Sequence, residues 1–129
     1  MATAPIRILI VEDDLFIREL YERQLGLAGF SITTAADGPE GLLKVTAEKP
    51  DLLLLDIMLP KMNGLDLLKT IKGKDETKNI PVILLTNLGQ DSVIKEGFNL
   101  GADGYLIKSA YTPDQIIEEV KKFLATIPQ

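Results

Sequence analysis

The chain predicts an α/β domain of the flavodoxin-like (βα)5 type, a five-stranded parallel sheet of order 2-1-3-4-5 with helices on both faces. Three observations carry this. Strand-like and helix-like patterns alternate five times. The first, third and fourth apolar runs are nearly continuous, as in strands covered on both sides. The segments between them carry helix start and stop residues. Right-handed crossovers make such strands parallel, and five of them fit the order that reverses beside the first strand.

The elements follow in turn. IRILIV at 6–11 is the first strand, and it runs into Glu12-Asp13-Asp14. Gly29 stops the helix after it. FSITTA at about 30–35 is the second strand. Asp37-Gly38-Pro39-Glu40 reads as an N-cap followed by a capping-box glutamate. DLLLLD at 51–56 is the third strand, its leucines anchoring Asp56 at the tip. Asn63 caps the third helix and Gly73 stops it. IPVILL at 80–85 leads to Thr86, and Asp91 caps the fourth helix. DGYLI at 103–107 ends at Lys108. Thr112-Pro113-Asp114-Gln115 opens the last helix, whose Ile116, Ile117, Val120, Phe123, Leu124 and Ile127 share one face. Residues 1–129 read as a single domain with its core at about 5–126 and no output domain in this chain.

Composition narrows the chemistry. With 46% hydrophobic residues in 129, a real core can be buried. No apolar run reaches the length of a membrane span, and the start MATAPIRILI lacks the form of a secretory signal. A cytoplasmic location is expected. Net charge is −5, from 19 acids and 14 bases, which is not the basic footprint of a nucleic-acid binder. There is no histidine and no cysteine. That excludes a Ser-His-Asp triad, a cysteine nucleophile and a zinc site of the usual ligands. Carboxylates, hydroxyls, lysine and hard cations remain.

All strand C-termini of a parallel sheet share one edge, and ligands bind there. This edge would gather Glu12, Asp13 and Asp14 from the first strand, Asp56 from the third, Thr86 from the fourth and Lys108 from the fifth. Two like charges about 4 Å apart repel by roughly 4 kcal/mol at an effective dielectric near 20. A hard dication relieves such a cluster, and oxygen donors suit Mg2+ or Mn2+. An aspartate beside Mg2+ and lysine can attack phosphorus and carry the phosphoryl group. Taken singly, Asp56 and the acidic loop could be no more than caps, Thr86 a turn residue and Lys108 a solvated charge. Their joint position is the informative feature.

From about residue 5 to 126 the chain resembles the receiver domains of two-component response regulators. The stretches ILIVEDD, DLLLLDIMLPKMNGLDLL, IPVILLTN and GADGYLIKS carry the resemblance. It implies that Asp56 accepts a phosphoryl group from a histidine kinase or a histidine-containing phosphotransfer protein. Glu12, Asp13, Asp56 and the Met58 backbone carbonyl would hold Mg2+, Asp13 most directly. Thr86 and Lys108 would stabilise the phosphoryl group, and Thr86 and Tyr105 would form the switch. Met58 and Leu88 would flank the path of attacking water; being apolar they imply slow autodephosphorylation. Leu15 or Phe16, if exposed, would suit kinase docking; packing of both in the core is the alternative. The fourth helix, fifth strand and fifth helix would meet an unknown downstream protein, with Lys95, Asn99, Tyr105, Tyr111, Gln115 and Lys122 as candidates.

Two positions depart from the family pattern. Ser109 stands where a proline in a cis bond is usual. A non-proline cis bond costs about 2.5–4 kcal/mol, which leaves open a trans bond with Lys108 or Ala110 displaced. Asn87 stands where a smaller residue is commoner and narrows access. Competing functions fit less well. A Mg2+-dependent phosphatase wants a second acid two residues after its nucleophile, and position 58 is Met. A flavin carrier needs a phosphate loop that Glu12-Asp13-Asp14 would repel, and the chain lacks the spacing of a nucleotide P-loop.

Overall fold

The computed structural model describes residues 4–87 and 91–126. The chain runs β1 (Arg7–Val11), α1 (Leu15–Leu27), β2 (Ser31–Ala35), α2 (Gly38–Glu48), β3 (Leu52–Asp56), α3 (Gly64–Lys72), β4 (Val82–Thr86), α4 (Asp91–Asn99), β5 (Gly104–Ile107) and α5 (Pro113–Ala125). The sheet is parallel, of order β2-β1-β3-β4-β5. The three nearly continuous apolar runs are therefore its three interior strands.

Period-two alternation divides the core into two layers. Leu9, Val11, Leu53, Leu55, Val82 and Leu84 face Val45, Leu67, Leu68 and Ile71 of α2 and α3. Ile8, Ile10, Leu52, Leu54, Ile83 and Leu85 face Tyr21 and Leu25 of α1 and Ile116, Ile117, Val120 and Leu124 of α5. Leu52 to Leu55 are fully buried on alternate sides. Each contributes about 2 kcal/mol of apolar burial, so β3 is pinned from both faces.

The expected caps hold, with adjustments. Asp37 accepts from the Glu40 amide at 2.8 Å, but Glu40 reaches back to the Ala36 amide rather than closing on its own cap. Thr112 and Gln115 form a complete capping box. Asn63 accepts from the Leu65 amide at 2.7 Å. Gly29, at φ 100, closes α1, with its own amide bonded to the Gly26 carbonyl and the Phe30 amide to that of Leu25. That is a Schellman motif, whose left-handed residue favours glycine. Gly73 ends α3 with right-handed geometry. α4 begins at Asp91, so its N-cap position lies outside the described residues, as do Leu88 and Ile127.

Candidate functional site

β1 and β3 are neighbours, with Val11 opposite Leu55, so Glu12 and Asp56 emerge side by side at the C-terminal edge. Glu12 is 1% exposed and Asp56 5%. The carboxylates of Glu12, Asp13 and Asp56 offer oxygens within 4.8 Å of one another. Lys108, just past β5, donates to Asp56 Oδ2 at 3.0 Å and to Glu12 Oε1. Asp56 Oδ1 accepts from the Met58 amide at 3.2 Å. The Arg18 guanidinium, from α1, donates to the Glu12 carbonyl at 2.8 Å and ties the acidic loop to that helix. On the far side of Asp56, Gly64 lets α3 start against the strand tip, its amide bonded to the Ile57 carbonyl at 2.9 Å.

Electrostatics follow from burial. Desolvation raises Glu12 from the usual 4.5 to about 7; the neighbouring Asp56 adds to this and Lys108 opposes it. Burial alone would lower Lys108, yet its bonds to Glu12 and Asp56 outweigh that and its pKa is raised. Three carboxylates facing one ammonium form an oxygen-only donor set. Such a set fits a hard dication and offers none of the thiolate or imidazole ligands that softer metals prefer.

A cleft of about 500 Å³ opens here, lined by Glu12, Asp13, Asp56, Met58, Asn87 and Lys108 together with Tyr21 and Ser109. Thr86 is buried at the end of β4, one residue past the partner of Asp56, and does not line the cleft. Tyr105 lies opposite Leu84, on the same face as Thr86 but outside the cleft. It is half exposed, with its ring edge-on to Phe98 at 5.7 Å. The Lys108–Ser109 bond is trans, because no peptide bond among the described residues is cis. Lys108 is not displaced by it: a 3-10 turn, Lys108–Ala110, takes up the path and the ammonium still reaches both acids. Leu15 and Phe16 are exposed, Phe16 by 73%, so they do not pack in the core. Lys95, Asn99, Tyr111, Gln115 and Lys122 are exposed as well.

Sequence reasoning missed Tyr21 and Arg18. Tyr21 fits the apolar face of α1, and only the fold shows its ring bordering the cleft. Arg18 acts on a backbone oxygen, which leaves no residue-type signal.

The profile described as response regulator receiver domain matches residues 8–121. The DNA-binding dual master transcriptional regulator RpaA of Synechocystis sp. is 37% identical over 118 residues, 92% of this chain and 48% of that protein. The chain thus spans about half the length of the curated relatives it matches. A putative response regulator from Chloroflexus aurantiacus is 36% identical, with TM-score 0.85, covering 95% of this chain and 99% of that one. The Mn(2+)-bound form of response regulator Rcp1 is 27% identical, with TM-score 0.82, covering 97% and 98%.

Proposed function

The chain belongs to the response regulator receiver family, whose members act as phosphorylation-dependent signalling switches rather than metabolic enzymes, and from that premise we propose that Asp56 is its phosphoacceptor. The observation that carries this is the buried Asp56 carboxylate at a strand tip, held between the Lys108 ammonium and two further acids. A carboxylate oxygen of Asp56 attacks phosphorus; the bond from phosphorus to the donor's imidazole nitrogen breaks, and its electron pair stays on that nitrogen. The donor histidine comes from a histidine kinase or a histidine-containing phosphotransfer protein, since this chain has no histidine. Glu12, Asp13, Asp56 and the Met58 carbonyl would hold Mg2+, or Mn2+ in its place, and the bound cation offsets charge on the phosphoryl oxygens.

Lys108 exchanges its carboxylate partners for a phosphoryl oxygen. The Thr86 hydroxyl donates to another, and Tyr105 turns inward from its half-exposed place. The surface of α4, β5 and α5 then changes for an unknown downstream protein. The exposed Leu15 and Phe16, next to the acidic loop, support kinase docking on α1. RpaA is named as DNA-binding, but this chain spans 48% of it and carries net charge −5, so nucleic-acid contact is not part of the proposal. No helix among the described residues is long and apolar enough to cross a membrane, and the switch is proposed to work in the cytoplasm as one receiver unit. The apolar Met58, 61% exposed at the cleft, cannot orient water, which supports slow autodephosphorylation; loss of phosphate within seconds of donor removal would count against that.

The test is incubation with a small acyl phosphate and Mg2+, read by intact mass. Wild type should gain one phosphoryl group; Asp56→Asn and chelator-treated wild type should gain none. Equal uptake by Asp56→Asn would overturn the assignment.

A further inference from the structure

Tyr21 is 3% exposed, and its hydroxyl has no hydrogen-bond partner among the described residues. Buried phenols normally find a partner. This hydroxyl is not sealed in, because no enclosed side-chain oxygen or nitrogen among the described residues lacks a partner. Tyr21 lines the cleft together with Glu12, Asp56 and Lys108. The Lys108 ammonium has three N–H donors. Two are used, on Glu12 and Asp56, and the third has no protein acceptor among the described residues. The residues lining one cleft therefore include a lysine with an unused donor and a tyrosine with an unused oxygen.

We propose that the Tyr21 hydroxyl is a positioning group for Lys108, accepting its third N–H directly or through one water and keeping the ammonium in the cleft when Glu12 is engaged elsewhere. The charges of Lys108, Glu12 and Asp56 all act on this phenol, while burial raises its pKa. The need is physical. A lysine side chain is long and flexible and loses much rotamer freedom when held. If Glu12 turns to a cation, Lys108 retains only Asp56, the group whose chemistry it must assist. A neutral acceptor steadies the ammonium without adding a fourth negative charge. Tyrosine supplies one from a ring already locked in the layer with Leu25, Ile116 and Ile117.

This inference rests on the role proposed for Lys108, and its test separates the two. In 15N-labelled protein, NMR measures exchange of lysine ammonium protons with water, and loss of a signal in Lys108→Arg assigns Lys108. Tyr21→Phe keeps the ring and should speed exchange at Lys108 about fivefold, the effect of one hydrogen bond. Lys72, held by the Ile80 and Lys78 carbonyls and by Asp103, should not change. Unchanged exchange at Lys108 overturns the inference, and so does acceleration that includes Lys72, which marks a loosened fold. In a second arm with acyl phosphate and Mg2+, Tyr21→Phe should slow phosphoryl uptake about fivefold while leaving Mg2+ affinity unchanged, and should have no further effect in a Lys108→Met background. Equal losses in both backgrounds would show the hydroxyl acting without Lys108 and would refute it. If wild type takes up no phosphoryl group, the function reading fails, and ammonium exchange still decides the role of Tyr21.

Discussion

Gly64→Ala tests how rigidly the fold holds Asp56. A Cβ at position 64 would fall well inside contact of the Asp56 carbonyl oxygen, 2.7 Å from Ile57 Cα and 3.0 Å from the Asp56 carbonyl carbon. Carbon atoms rest about 3.5–4.0 Å apart, so something must move by about 1 Å. Every one of these neighbours is backbone of the pinned strand tip, so no side chain can swing aside. Either α3 backs away, stretching the Gly64 amide bond to Ile57, or the Asp56 main chain shifts. Overpacking of this kind costs about 1–3 kcal/mol, offset by less than about 1 kcal/mol of helix propensity. Urea unfolding followed by circular dichroism should show a net loss of about 1–2 kcal/mol, the middle of the range those figures leave. Phosphoryl uptake should fall more than stability does, because a misplacement of about 1 Å at a reacting group can cost up to about 100-fold. Gly26→Ala is the control. A Cβ there meets nothing within 4 Å, so alanine within α1 should stabilise by about 0.5–1 kcal/mol with uptake unchanged. A Gly64→Ala protein with wild-type stability and wild-type uptake would show that the tip of β3 is soft and that the leucine anchor does not govern Asp56.

The buried Glu12 sets the pH response of the metal-free protein. Its folded pKa of about 7 lies above its ordinary 4.5, so the folded state keeps the proton more tightly; stability is full below about pH 4.5 and declines by up to about 3 kcal/mol as pH rises through 7. Urea midpoints from pH 4.5 to 8 should fall in wild type, and Glu12→Gln should lack that slope. Lys72 is a hub on the opposite edge, donating to the Ile80 carbonyl at 2.7 Å and to Asp103, whose Oδ2 also accepts from the Val82 amide. Lys72→Met should cost about 1–3 kcal/mol in urea unfolding, chiefly from carbonyls left unbonded; Asp103→Asn should cost less, since the partly exposed ion pair contributes little. Hydrogen exchange should be faster at the amides of the edge strand β5 than at those of β3, and phosphorylation should slow β5 selectively; equal protection of the two strands would contradict this.

Much of the architecture was legible because its causes are local. The leucines of β3 declare burial on both faces, and Asn63 and Thr112 declare helix starts through their own side chains. The clustering of Glu12, Asp13, Asp56 and Lys108 followed from one rule, that parallel strands end on one edge. What stayed hidden depends on distant partners or on backbone. Lys61 adopts φ 68 and pairs with Asp37 at 3.3 Å, neither of which its type suggests. The reach of Lys72 to Asp103 joins two helix-strand units across 31 residues. The path after Lys108 was undecided in sequence, because either peptide isomer satisfies the same residues until the ammonium is placed.

The division of roles among the strands has a mechanical logic. Asp56 and Glu12 extend from interior strands, each paired on both sides, β3 buried throughout and β1 buried from Ile8 onward, so the proposed acceptor is fixed where chemistry needs precision. Tyr105 sits on β5 and Lys108 directly follows it; that strand pairs on one side only and has four residues, of which Leu106 alone is buried. An edge strand of that kind is less constrained than the interior strands. In the proposed switch, a phosphoryl group drawing Lys108 toward it would pull on an edge strand, and Tyr105 lies three residues back from Lys108. If acceptor and responder shared an interior strand, any signal would have to deform the packed core, at a cost beyond what a few new hydrogen bonds supply. With the proposed acceptor on β3 and the proposed responder on β5, a local change of charge would act on a surface without unpacking what holds Asp56.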